Sequence, residues 1–345
     1  MKIVQAMVAK GFGGAEHYFV DLSNHLAERG HKVLAITHKD FQGLHQLKQS
    51  SNLRVENFSV LGWWDFRSRL KMQKVINNFN AEIIHSHLAR ATYLCGRISN
   101  NLNIPLTVKT HNYIDLKYYK NVDMFIPTTE DQKQYLIEQG VDENKIEVIP
   151  NFSKIRPVEE INHSQARDKL EIYSIGRMVK KKGFDNLLRA FSTVVKAGYE
   201  ARLEIAGDGP ERKVLMELVE ELDLGNHVKL PGWIDDVSNF AENKDVFVLP
   251  SLDEPFGIVI LEAMAMGKPI ITTRTQGPKE ILDEQAACLV AINVEEELAD
   301  AMKKFIDDKE YRFKLADNSL KRFKEKYSLE VVVPKILDLY QKVSV

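Results

Sequence analysis

The sequence has almost no cysteine. Its two thiols, Cys95 and Cys288, lie far apart among 345 residues, and neither belongs to a Cys-x-x-Cys pair. That argues against a disulfide-stapled fold and points to a reducing, cytoplasmic compartment. Charge of one sign is also lacking: the formal net charge is -2. A dedicated nucleic-acid binder carries a strong basic excess, so no nucleic-acid partner is expected. No apolar run approaches about 18 residues, so no membrane span is expected. Met1–Gly14 holds a short apolar run but lacks the length and cleavage pattern of a secretory leader. There is no Gly-x-Gly-x-x-Gly: Gly11-Phe-Gly13-Gly14 meets Glu16 where the third glycine belongs, and Gly207-Asp-Gly209-Pro fails in the same way. This argues against a dinucleotide-dependent dehydrogenase. No Asp-x-Asp pair is present to hold a metal.

What is present is an ordinary globular composition, 44% hydrophobic and 28% charged, over a length greater than one core usually supports. The first half alternates strand-like and helix-like patterns. Strands are expected at Ile3–Val8, Lys32–Thr37, Glu82–His85, Leu106–Lys109 and Met124–Pro127, with a helix over Ala15–Arg29 stopped by Gly30. The irregular run Ile149–Pro157 and the polar stretch to Lys169 read as a linker. The alternation restarts at Leu170–Gly176. Strands follow near Ala201–Ala206, His227–Leu230, Asp245–Leu249, Pro269–Thr272 and Ala287–Val290. Helices are expected at Phe184–Lys196, Glu211–Leu222, Ile258–Met266 and Leu329–Val343. Repeated strand–helix units imply parallel sheets covered on both faces. The fold class is α/β: two doubly wound, Rossmann-like units in tandem. Ligands of such sheets bind beyond the carboxyl ends of the strands, and two facing units would form a cleft for two substrates.

Two segments carry chemistry. After the strand ending at Gly176 comes Arg177-Met-Val-Lys-Lys-Lys182-Gly183, leading into a helix. Arg177 can bond a diphosphate bidentately, Lys182 adds a second charge, and the helix start adds N–H groups. A solvated basic loop would look similar on its own. The second segment, Glu254-Pro-Phe256-Gly257-Ile258-Val-Ile-Leu-Glu262, places two carboxylates eight positions apart. Glu254 falls on a carboxyl-end loop, and Gly257 lets backbone approach a ligand at a helix start. Glu262 lies farther along that helix. A capping carboxylate followed by an ordinary helix glutamate would leave the Pro-Phe-Gly loop unexplained.

Together these residues resemble the GT-B fold glycosyltransferases of family 4, a retaining, metal-independent group. Glu254 and Glu262 resemble that family's pair of glutamates separated by seven residues. Arg177 and Lys182 resemble its arginine and lysine, Gly13-Gly14-Ala-Glu16 its glycine-rich first loop, and His111 its first-domain histidine. The resemblance covers essentially the whole chain. It implies an acceptor-binding domain at 1–155, a nucleotide-sugar-binding domain at 165–325, and a final helix at 326–345 crossing back to the first domain. It implies that Arg177 and Lys182 hold the donor diphosphate, and that Glu262 binds ribose hydroxyls. Glu254 would bind the transferred sugar rather than act as a covalent nucleophile. Phe256, Gly257 and Ile258 would offer backbone N–H groups, and Gly13 and Gly14 would let the first loop approach the donor. Gly232 and Trp233 would lie at the base, and His111 at the reacting sugar. The implied catalytic set is His111, Glu254, Arg177 and Lys182, with no metal and no separate cofactor. The partners implied are a nucleotide-sugar donor and a glycan or lipid-linked acceptor, in envelope or lipopolysaccharide assembly. A nucleotide-sugar epimerase on the same fold and a non-catalytic nucleotide-sugar binder are the alternatives. One departure stands out: Gln276 replaces the first glycine of a common Gly-Gly pair, and Pro278, which lacks an N–H, follows Gly277.

Two weaker signals remain. His85-Ser-His87 could pair on a metal, but without a third ligand a cleft-lining or structural role is favoured. Trp63-Trp64-Asp65-Phe66, followed by Arg67, Arg69, Lys71 and Lys74, admits two readings. One is an amphipathic helix packing Leu70, Val75 and Phe79 on the first sheet. The other is peripheral contact with an anionic membrane at its inner face.

Overall fold

The computed structural model describes residues 1–163 and 169–344. Part of the polar linker stretch, 164–168, lies outside the described residues, as does Val345. The chain divides into two compact units: Met1–Asn151 with Val332–Val345, and Phe152–Val331.

The first unit contains β1 (Lys2–Met7), α1 (Gly14–Glu28), β2 (Lys32–His38), β3 (Leu53–Phe58), α2 (Phe66–Phe79), β4 (Ile83–His87), α3 (Leu88–Leu102), β5 (Leu106–Thr110), β6 (Met124–Pro127) and α4 (Glu130–Glu138). Its strands pair in parallel in the order β3-β2-β1-β4-β5-β6. Apart from the edge strand β3, the strands are buried on both faces because helices cover both, so they read as largely apolar runs. Helix α1 follows from spacing: Tyr18, Phe19, Leu22 and Leu26 recur at helical intervals and are all buried. The strand order reverses between β1 and β4, which opens the carboxyl ends of these central strands to a ligand.

One face of this sheet breaks the apolar rule. Gln5 of β1 sits in register with His85 of β4, and His87 sits in register with Lys109 of β5. Side chains alternate along a strand, so all four share a face. All four are fully buried.

The second unit contains β7 (Leu170–Ile175), α5 (Phe184–Lys196), β8 (Ala201–Ala206), α6 (Arg212–Glu221), β9 (Val228–Gly232), α7 (Val237–Ala241), β10 (Val246–Leu249), α8 (Ile258–Ala265), β11 (Ile270–Thr273), α9 (Gln276–Ile281), β12 (Cys288–Val290), α10 (Glu295–Asp307) and α11 (Lys309–Lys326). Its order is β12-β11-β10-β7-β8-β9, the same topology as the first sheet. Helix α5 buries Phe184, Leu187, Leu188, Phe191 and Val194 in a core shared with Met302 and Phe305 of α10. Each such burial contributes about 1.5–3 kcal/mol. The last helix, α12 (Leu329–Ser344), buries Val332, Val333, Ile336, Leu339 and Tyr340. From Val332 onward it belongs to the first unit.

Candidate functional site

In the second unit the expected donor residues follow the carboxyl ends of three strands of one sheet, β10, β7 and β9. Arg177 follows β7 and is exposed, and among the described residues its guanidinium has no ion-pair partner. A 3-10 turn, Lys180–Lys182, leads to Gly183 at φ 64. A Cβ on Gly183 would stand 2.3 Å from the Pro250 carbonyl oxygen, so only glycine lets this loop lie on the β10–α8 loop. The two loops are joined: the Leu252 N–H donates to the Lys181 carbonyl at 2.8 Å. Lys182 Nζ is ion-paired with Glu254 Oε2, and the two side chains are 16% and 10% exposed. A pair this sheltered is weakly screened by salt, and loss of either partner leaves an uncompensated charge.

Beyond Glu254 the chain turns sharply into α8. Phe256 is buried, and Gly257, at φ 96, is the N-cap of α8 and offers no capping side chain. The N–H groups of Ile258 and Val259 therefore lack intrahelical acceptors and can meet an anion, whereas the Ile260 N–H donates to the Gly257 carbonyl at 2.9 Å. Glu262, one turn into α8, lies close enough to Tyr173 that its charge, after burial, helps push that phenol well above its ordinary pKa. Gly277 closes the loop from the other side. Its N–H donates to the Glu254 carbonyl at 2.9 Å, and a Cβ there would fall 2.3 Å from the Phe256 Cα. Pro278 disturbs nothing here. It is the third residue of α9, where an N–H would have no intrahelical acceptor, and its carbonyl accepts from the Leu282 N–H at 2.8 Å. Gly232 ends β9, and its carbonyl accepts from the Gly207 N–H at 2.7 Å. Trp233 beside it is 51% exposed, with its indole N–H on Asp235 at 3.0 Å.

Sequence reasoning missed two groups in these loops. The hydroxyls of Ser251 and Thr275 are buried without a hydrogen-bond partner among the described residues. Nothing in the sequence distinguishes these hydroxyls from any other.

In the first unit, Gly13 caps α1, its N–H bonded to Glu16 Oε2 at 3.0 Å, and both Gly13 and Gly14 are exposed. His111 follows β5. Its Nε2 lies 3.1 Å from His87 Nδ1, and the edge of Tyr18 packs at 5.3 Å between ring centres. Burial, then the charges of His87 and Lys109, hold the His111 imidazole well below its ordinary pKa. Burial, then Lys109, takes His87 down to about 3. Both rings are neutral at neutral pH. They open on a cavity of about 1090 Å³ whose walls include Lys10, Leu61, Arg90 and Tyr113. His85 does not reach that cavity and is packed against Tyr340.

Helix α2 buries Met72 and Ile76, with Val75 and Phe79 partly covered. Leu70 departs from the packed face expected for it and is 45% exposed. Trp63, Trp64 and Phe66 are exposed too, Trp64 at 69%. No helix among the described residues is long and apolar enough to cross a membrane.

Comparison with known proteins identifies the family. Residues 12–153 match the family described as Glycosyltransferase Family 4, and residues 156–322 match Glycosyl transferases group 1. The chain is 30% identical over 96% of its length to the lipopolysaccharide core biosynthesis glycosyltransferase LpsD of Rhizobium meliloti strain 1021, covering 95% of that protein. It is 29% identical to LpsE of the same organism, covering 95% of each chain. Among solved structures it resembles Anabaena HepE in complex with UDP and glucose, with TM-score 0.82 and 20% identity over 99% of this chain and 100% of that one. It also resembles WaaG, a glycosyltransferase involved in lipopolysaccharide biosynthesis, with TM-score 0.74 and 17% identity over 98% and 99%. The chain belongs to glycosyltransferase family 4 and is a sugar-transferring enzyme of the GT-B fold.

Proposed function

We propose that this enzyme moves a hexose-type sugar, with retention of configuration, from a nucleotide diphosphate donor to a glycan or lipid-linked acceptor. The pathway proposed is lipopolysaccharide or related envelope polysaccharide assembly, on the strength of the relatives LpsD and LpsE. Nucleotide-sugar use is supported by HepE, which was crystallised with UDP and with UDP-glucose.

The observation that carries the reading is the pair of cations after β7: Arg177 exposed and without an ion-pair partner among the described residues, Lys182 set beside Glu254. Breaking a sugar–phosphate bond leaves positive charge on the sugar and negative charge on the diphosphate. Fixed cations stabilise that separation more than they stabilise the intact donor. In this scheme Arg177 and Lys182 hold the diphosphate, and no divalent metal is needed. The open N–H groups at Gly257 and Ile258, with Phe256 before them, add to that anion site. Glu262 takes the ribose hydroxyls, Glu254 the sugar hydroxyls, and Gly232 with Trp233 the base. The acceptor binds the first unit, and Gly13, Gly14 and the neutral His111 are assigned to the reacting sugar. The acceptor oxygen bonds to the anomeric carbon, the carbon–phosphate oxygen bond breaks, and the acceptor proton passes to the departing diphosphate.

The exposed Trp63, Trp64, Phe66 and Leu70, with Arg67, Lys71 and Lys74 on the same exposed segment, support peripheral contact with an anionic membrane surface.

Product analysis by mass spectrometry tests the reaction. A free nucleoside diphosphate together with a glycosylated acceptor is the expected result. An isomerised donor with no transfer would establish an epimerase, and an unchanged donor a non-catalytic binder.

A further inference from the structure

A sheet interior is normally apolar, because an unbonded polar group there is costly. The first unit instead buries a continuous polar chain. His111 Nε2 lies 3.1 Å from His87 Nδ1. His87 Nε2 lies 2.9 Å from Gln5 Oε1. Gln5 Nε2 donates to the Tyr340 hydroxyl at 3.0 Å. That hydroxyl in turn bonds His85 Nδ1. The three imidazoles stack, with ring centres 4.6 Å apart for His85–His87 and 5.4 Å for His87–His111. Gln5, His85, His87 and Tyr340 are all fully buried. The chain spans β1, β4, the end of β5 and α12.

We infer that Gln5, His87 and Tyr340 are positioning residues that fix His111 in a single neutral tautomer with its proton on Nε2. This rests on the proposal that His111 serves the reacting sugar. The logic is one of donors and acceptors. Gln5 donates through its nitrogen to Tyr340, so its oxygen faces His87 as an acceptor. His87 Nε2 must then carry the proton, and a neutral imidazole has only one. His87 Nδ1 is therefore an acceptor, and His111 Nε2 is the donor that meets it. His111 Nδ1 is left as a lone pair. At the far end the Tyr340 hydroxyl donates to His85 Nδ1, and the chain stops there. His85 Nε2 is buried without a partner among the described residues.

The polarity is collective. Turning the Gln5 amide over would reverse every bond and move the His111 proton to Nδ1. A ring that could bond a substrate hydroxyl as an acceptor would become a donor. With the Tyr340 hydroxyl accepting from the Gln5 nitrogen and donating to His85 Nδ1, α12 anchors the far end of a chain that reaches a residue in the first unit's cavity.

Nitrogen-15 NMR of histidine-labelled full-length protein reads this directly, without any substrate. The wild type should show His111 with Nε2 protonated and Nδ1 bare, in one form. Tyr340→Phe keeps the buried ring but removes the hydroxyl, and should convert His111 to a mixture of tautomers while the protein stays folded. Gln5→Met, of similar length but without the amide, should do the same, so a folding failure in one variant leaves the other as the test. With the donor and acceptor identified, Tyr340→Phe should lower kcat about tenfold with little change in donor KM. A tautomer mixture in the wild type, a proton on Nδ1, or an unchanged His111 signal in both variants would overturn the relay. If the relay is seen but His111→Ala retains full kcat, the relay does not serve catalysis and the inference fails, while sugar transfer itself stands.

Discussion

The residues proposed for the anion site differ in what each can lose. Arg177 is exposed and has no ion-pair partner among the described residues, so Arg177→Ala should remove its ligand bonds alone. A charge-assisted hydrogen bond contributes about 1.5–3 kcal/mol, so donor affinity should fall roughly 10- to 150-fold by calorimetry with no change in urea midpoint. Lys182→Ala should lose similar affinity and also stability, because it strands the Glu254 carboxylate in a sheltered site. Adding Glu254→Gln to Lys182→Ala should recover the stability but not the binding. If Lys182→Ala is as stable as the wild type, the ion pair is not holding these loops. Gly277→Ala brings a methyl to 2.3 Å from the Phe256 Cα. The Glu254 loop must shift, and overpacking of this kind costs about 1–3 kcal/mol in urea denaturation. An alanine variant of wild-type stability and affinity would show that the loop is loose.

At the level of elements, most of the architecture was legible because buried parallel strands are nearly pure apolar runs. Met124–Pro127, Ala201–Ala206 and Phe184–Lys196 fall at the expected bounds. Strand β3 was missed. It lies at the sheet edge, and its Leu-Arg-Val-Glu-Asn-Phe sequence carries an Arg54–Glu56 ion pair in place of an apolar run. Helices α10 and α11 were also unanticipated, since both show solvent a largely charged face. The residues proposed for the anion site could be named from sequence because they cluster within short segments. The relay was not: His85-Ser-His87 was visible, but its partners Gln5 and Tyr340 stand at opposite ends of the sequence. Helix α2 carries two predictions. Asp65 caps it, accepting from the Ser68 N–H at 2.9 Å, so Asp65→Ala should cost about 1 kcal/mol in denaturation. The exposed aromatics before it should sediment with anionic vesicles at low salt. Replacing Arg67, Arg69, Lys71 and Lys74 by glutamine should release the protein with its fold unchanged. If the wild type never sediments, α2 is only a solvated helix.

At the scale of the whole molecule, one strand order serves two units that bury very different chemistry. Among the described residues the strands of the second unit bury no histidine or lysine, whereas the first buries histidines and a lysine within its sheet. That has a consequence for stability. His87 is held at about 3 when folded, by burial and then by Lys109. His85 and His111 are displaced in the same direction. Above about pH 6.5 these groups are neutral in both states and contribute no pH dependence. Below it the unfolded chain takes up protons that the folded chain refuses, so stability falls as pH falls. The slope is about 1.4 kcal/mol per pH unit for each such histidine. The urea midpoint should therefore be lower at pH 5.5 than at pH 7.5, before ordinary carboxylates begin to titrate. Equal midpoints would mean that these rings become charged within the fold.

The most direct measurement is thermal stability with UDP-, GDP- and ADP-sugars in excess EDTA, on the wild type, Arg177→Ala and Lys182→Ala. A ligand that binds only the folded state at about 100 times its Kd adds about 2.7 kcal/mol, a readily visible rise in Tm. One donor class should raise the wild-type Tm without any divalent metal, and the rise should shrink sharply in both variants. A protein that responds to no nucleotide sugar, that responds only when metal is restored, or whose response survives both substitutions would contradict a diphosphate held by Arg177 and Lys182.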